Sequence, residues 1–268
     1  MCGLMFLLRL RRIEACLLLA LFTSCTSTEM RLAPHPEARP VNQLSISGNA
    51  CGPAALLASF RTGSDTWRKA ADQIPGNTDR QQLDSWIRRY GLRPSKNLNG
   101  KLRWSHRGIN VVDLVDAANE MNQREYLPQL AHDDLFLRSG ESPKALLRRT
   151  RAHLEQSIAK GIPPLLSLRR FSNRSGTWTP IDGHFVTVIG VPRGLAKGAS
   201  AFSIRYLDPL GGKEAEGTIR IPDSSLLSTA GKPAACLEAQ VPKSRFGSKN
   251  LRSGESSTVV PAAIIGRW

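Results

Sequence analysis

Residues 182–191 read DGHFVTVIGV. After Gly183 the run holds five β-branched residues and a phenylalanine, a composition that fits a pleated strand and loses side-chain freedom in a helix. Similar short runs surround it: PLLSLRRF (164–171), AFSIRYLD (201–208), GTIRIP (217–222), ACLEAQV (235–241) and TVVPAAII (258–265). Gly- and Pro-containing turns separate them, as expected of antiparallel strands. Upstream the period changes from two to 3.6. Helices are expected over 52–60, 66–73, 79–90, 110–122 and 142–160. In the third, Leu83, Trp86, Ile87 and Tyr90 share one face. Ser142-Pro143 opens the last helix and Gly161 stops it. Helices first and strands second is an α+β arrangement.

The N-terminus is of another kind. Arg9, Arg11 and Arg12 precede CLLLALF (16–22), an apolar run too short to span a bilayer. Residues 1–24 therefore read as an export signal. Phe22-Thr23-Ser24-Cys25 resembles a bacterial lipobox, which implies cleavage before Cys25, acylation of that residue and a membrane anchor. Residue 26 is Thr rather than the acidic residue linked to inner-membrane retention, so the implied address is the outer membrane of the cell envelope. Residues 25–42, polar and proline-rich, read as a tether, and 43–268 as one domain with a sizeable core. Removing the signal lowers the net charge only from +15 to +13, so basicity belongs to the exported domain. Its cations are dispersed and not interleaved with aromatics, and no nucleic-acid partner is expected.

Of five cysteines, only Cys51 and Cys236 fall in the folded part. In an oxidising compartment they form a candidate disulfide. Zinc-like spacing is absent, and so is a phosphate loop ending in Gly-Lys-Ser/Thr; no metal or cofactor is expected. GNACGPAALLASF (48–60) places Cys51 at or just before a helix start, with Pro53 in the first turn. Unpaired N–H groups and the macrodipole there favour a negative sulfur. A buried thiol beginning a core helix is the plainer alternative.

A thiol nucleophile needs a histidine to hold its proton and a third group to orient that histidine. His35 lies in the tether, His106 in a polar loop, His132 at an expected helix end or turn, and His153 inside a helix. His184 differs, because it opens a β-branched strand. The following strand ends in Asp208-Pro209. If the two strands pair as a hairpin, His184 and Asp208 lie at the same end, where a carboxylate fixes the imidazole tautomer.

In the order CGPAAL, GHFVTVIGV, YLDPLGG, the chain resembles the C39-like peptidases, bacterial members of the papain-like cysteine protease fold. The resemblance spans most of residues 43–212. It implies a helical lobe carrying Cys51, an antiparallel sheet carrying His184 and Asp208, and a cleft between them. It also implies hydrolysis of a peptide or protein substrate through an acyl-enzyme, with Cys51 as nucleophile, His184 as proton carrier and Asp208 as its orienter. The family places an oxyanion-stabilising Gln six residues before the cysteine, where this chain has Ser45. Gln43, eight before, is the candidate donor, with the Cys51 N–H as the second. Substrate contacts are expected around Trp104, Trp178 and Thr179, with FSNRSGTWTPIDG (171–183) as a loop forming one wall. A catalytically silent peptide- or cell-wall-binding lipoprotein and an acyltransferase share the same residues and stay open.

Overall fold

The computed structural model describes residues 29–223, 226–227 and 236–268. The export signal and the lipidation expected at Cys25 lie outside the described residues. Within them the chain is a mixed α+β protein built on a large antiparallel sheet.

The helices are α1 (Cys51–Thr62), α2 (Asp65–Asp72), α3 (Asp79–Trp86), α4 (Val111–Arg124) and α5 (Pro143–Ala159). Their termini follow local chemistry. Thr78, Asn110 and Ser142 each accept a backbone N–H from the first turn of the helix they precede, and Pro143 stands in the first turn of α5. After α5, Gly161 takes a left-handed φ of 82°. The helix expected over 79–90 is α-helical only to Trp86 and finishes as a π turn, Ile87–Gly91, in which the Leu92 N–H reaches Ile87 O at 2.8 Å. The wider turn keeps Tyr90 buried beside Trp86, ring centroids 5.8 Å apart.

The main sheet holds β4 (Ala131–Asp134), β10 (Ser256–Gly266), β5 (Leu165–Arg174), β6 (Thr177–Pro192), β7 (Ala201–Asp208), β8 (Lys213–Arg220) and β9 (Glu238–Gln240), hydrogen-bonded in that order. β1 (Met30–Leu32) pairs with the far end of β6, beyond the start of β5. A separate ribbon joins β2 (Trp104–Ser105) to β3 (Gly108–Ile109). The main sheet curls until Thr258 of β10 donates to Glu238 of β9 at 3.2 Å.

Successive side chains of the central strands feed two cores. On one face Leu165, Phe185, Ile189 and Leu207 pack with Ala54, Leu56 and Phe60 of α1. On the other Leu166, Val186, Val188 and Ile204 pack with Leu146, Leu147 and Leu154 of α5. Each fully buried Leu, Ile or Phe contributes about 1.5–3 kcal/mol, which exceeds a typical helix cap at about 1 kcal/mol. That comparison matters for α1, because Ala50, the residue before it, supplies no capping side chain. Packing holds α1 in place, and Thr187 of β6 fixes its height by donating to Ala55 O at 2.7 Å.

Three expectations are corrected. The segment read as a tether is part of the fold from Met30 onward. Besides β1, the Ala33 N–H bonds to Ile189 O (2.8 Å), the His35 N–H to Thr62 O (3.0 Å), and Val41 is buried. Three residues of edge pairing are too few to leave a periodic signal. The expected loop over 171–183 is instead the paired outer half of β5 and β6. Only Ser175 (φ 50°) and Gly176 (φ 83°) turn, between paired Arg174 and Thr177, as a two-residue hairpin with primed-turn twist requires. His132, expected at a helix end or turn, lies in β4 opposite Ile265 of β10.

Candidate active site

Cys51 is the first residue of α1. Its helix packs closely against β3 and α4 because residue 52 is glycine. A Cβ there would stand 2.6 Å from Ile109 Cγ2 and 3.2 Å from a Leu114 methyl. With no capping side chain on Ala50, the positive end of the helix lies at Cys51.

His184 sits mid-strand in β6, opposite Leu168 of β5, rather than at a strand start, because residues 177–183 continue the pairing with β5. Asp208 is the last residue of β7, which ends where Pro209 interrupts the ladder. The two side chains meet: His184 Nε2 and Asp208 Oδ1 are 2.7 Å apart. The same oxygen accepts the Leu210 N–H at 2.8 Å, an Asx turn that holds the carboxylate in place. With Nε2 engaged by Asp208, Nδ1 is the ring nitrogen free to exchange a proton.

Cys51, His184 and Asp208 are each no more than 4% exposed, so charges among them interact in a low dielectric. Burial is the largest influence on His184 and acts to lower its pKa. The hydrogen bond to Asp208 and the interactions with Cys51 outweigh it and raise the imidazole to about 9. For Asp208, burial is again the largest influence and acts upward. The bonds from His184 and the Leu210 N–H hold the carboxyl below its ordinary value, and the Ser244 hydroxyl adds to this without an aligned hydrogen bond. Each partner thus favours the other's charged form.

A cleft of about 380 Å³ opens over this pair, lined among others by Gln43, Asn49, Asp182, His184, Arg245 and Phe246. Gln43 begins a 3₁₀ turn, Gln43–Ser45, and its backbone N–H bonds to Pro209 O at 2.9 Å, next to Asp208. Its side chain is buried at the cleft and its Oε1 has no protein partner. The 3₁₀ turn and the left-handed Gly48 (φ 87°) lie along the chain between Gln43 and Cys51. The Cys51 N–H, expected as the second oxyanion donor, is held by Asn49 Oδ1 in a long bond of 3.4 Å.

Other sequence candidates are elsewhere. His35 bonds to Asp65 (3.2 Å), His153 stacks on Trp268 (4.4 Å), and His132 is exposed on β4. His106 flanks the Gly48–Asn49 loop, its carbonyl accepting the Asn49 N–H at 3.0 Å. Trp104 braces the same loop, donating to Asn49 O at 3.0 Å. Trp178 and Thr179, expected at the cleft, pair with Asn173 and Ser172 in the outer hairpin, and Trp178 packs near Cys236. Cys51 and Cys236 are both free, which rules out the disulfide between them in this structure. Burial and the charge of Glu238 push the Cys236 thiol up to about 11.

The segment 244–250 is a part of the site with no counterpart in the sequence reading. Phe246 stacks on the His184 ring, centroids 5.1 Å apart and planes within 21°. Arg170 lies over Phe246 at 5.0 Å and donates to its carbonyl at 2.7 Å. The segment reaches His184 only through tertiary packing, and its one local signal is Gly247 in the left-handed region (φ 68°). No family model matches the chain, and no curated protein matches it.

Proposed function

We propose that this chain is an exported, membrane-tethered cysteine peptidase or amidase of the papain-like, C39-like type. The observation that carries this reading is the buried 2.7 Å His184–Asp208 pair beside a cysteine at the start of a helix. In the proposed reaction His184 Nδ1 already holds the Cys51 proton, and the Cys51 sulfur bonds to the substrate carbonyl carbon. Collapse of the tetrahedral adduct breaks the C–N bond, and the leaving amine takes that proton. Water then attacks the thioester with His184 as base, releasing the acid and restoring the thiol. Asp208 keeps the imidazole oriented and supports its charge. The Gln43 amide stabilises the oxyanion, a role supported by its place in the cleft lining. The lipobox at Cys25 supports the membrane tether.

The test is turnover of a peptide mixture followed by mass spectrometry. Cleavage products that vanish in Cys51→Ala, and a thioester adduct on Cys51 trapped by acid quench, are the expected results. Binding without any product would favour a silent binding lipoprotein, a reading supported by the engagement of the Cys51 N–H with Asn49.

A further inference from the structure

The cleft carries an uneven charge. Arg245 and Lys249 line it, both are exposed, and neither forms an ion pair with a described residue. Among the described residues, Asp182 is the one acidic side chain of that lining. Its Oδ1 is taken by the Gly183 N–H at 2.8 Å, and its charge acts on Arg170 behind Phe246. Asp182 is thus already answered, and the two cations are not.

Their position is fixed by the chain that bears them. Arg170 bonds to Phe246 O, the Asn250 amide donates to Ile181 O at 3.1 Å, and Phe246 is stacked on His184. Gly247 approaches Asp182 so closely that a Cβ would stand 2.7 Å from the Asp182 Cβ. Two unpaired cations are therefore held on a braced segment beside the reacting groups. In an exposed position elsewhere they would be a solvated surface. Here they set the potential of the cleft mouth, where low-dielectric walls focus the field.

From this we infer that the substrate is an acyl compound or peptide carrying a carboxylate close to its reacting carbonyl, drawn in by Arg245 and Lys249. The inference rests on the thiol-hydrolase reading and adds a substrate class to it. Attraction of about 2.3-fold per cation, from a unit charge across about 8 Å of water-like medium, gives about fivefold for the pair.

The experiment compares alkylation of Cys51 by iodoacetate and iodoacetamide, nearly isosteric reagents that differ in charge. The measured quantity is the ratio of their rate constants in the full chain. In Arg245→Gln/Lys249→Gln that ratio is expected to fall about fivefold. Lys144→Gln/Lys160→Gln, a charge-matched pair at the two ends of α5 outside the cleft lining, is expected to leave it unchanged. Raising salt from about 0.02 to about 0.5 M should lower the wild-type ratio toward that of the cleft variant, because the Debye length shortens below the cleft dimensions. A ratio that survives removal of Arg245 and Lys249 assigns the anion preference to His184 and overturns the inference. An equal fall in the α5 control assigns it to net charge, with the same consequence. If neither reagent favours Cys51 over Cys236, the thiol-hydrolase reading itself fails and takes the inference with it. Matched peptides then locate the carboxylate: Asp or Glu against Asn or Gln tests a side chain, and a free against an amidated C-terminus tests the main chain.

Discussion

Replacing Asp208 with Asn removes one charge from a buried pair while keeping the side chain's size. His184 stands at about 9 instead of its ordinary 6.5, and the Asp208 bond is the largest influence holding it up against burial. At 1.36 kcal/mol per unit, that elevation corresponds to about 3 kcal/mol of preference for the imidazolium. In Asp208→Asn, burial is opposed only by Cys51, so the His184 titration should fall to the ordinary range or below. At about pH 7 the ring then turns from charged to neutral, and Cys51 alkylation should slow by about 10². The assays are an NMR titration of labelled histidine and a pH–rate profile for alkylation. The sign also fixes the stability profile. The raised His184 pKa contributes stability that is fully present below 6.5 and is lost as pH rises through about 9. The lowered Asp208 pKa contributes stability present above 3.8 and lost as pH falls through its folded value. Wild-type melting temperature should therefore decline between about pH 6.5 and 9, and Asp208→Asn should flatten that decline. An unchanged His184 titration in the variant, with alkylation at the wild-type rate, would show that Asp208 does not hold the imidazolium.

Three further outcomes are expected. Gln43→Ala should lower turnover by about 10²–10³ while Cys51 alkylation, which forms no oxyanion, keeps its rate; parallel losses in both assays would remove Gln43 from the oxyanion role. Gly52→Ala should destabilise the fold by about 1–3 kcal/mol in denaturant titration, since the new Cβ meets Ile109 at 2.6 Å; a gain, as helix propensity alone gives, would contradict the close approach. Phe246→Ala should uncover the His184 ring and lower both alkylation rate and melting temperature, and a variant equal to wild type in both would show that the stacking is incidental.

What the sequence discloses is what local periodicity encodes. AALLASF and HFVTVIGV lie in α1 and β6, because small residues on one and β-branched residues on the other are sufficient to choose the state. The face formed by Leu83, Trp86, Ile87 and Tyr90 is buried as its spacing indicates, although the helix relaxes to a π turn beneath it. SNRSGTWTP reads as a loop because Ser, Asn, Gly and Pro weigh against strand, yet pairing with β5 overrides propensity and only Ser175-Gly176 turns. Met30–Leu32 is a strand solely because β6 offers it an edge. Among site residues, His184 and Asp208 meet through neighbouring strands, a relation that a hairpin makes legible. Phe246 and Arg170 come from β10's approach and from β5, separated by 76 residues along the chain, and no spacing rule could pair them.

On the proposed reading Cys51 is an activated nucleophile and Cys236 is a buried bystander. Limiting iodoacetamide followed by peptide mapping tests it most directly. Cys51 should be labelled far faster than Cys236, whose thiol stands at about 11, and His184→Ala should slow Cys51 alone. Equal, slow labelling of both thiols, indifferent to His184→Ala, would contradict it.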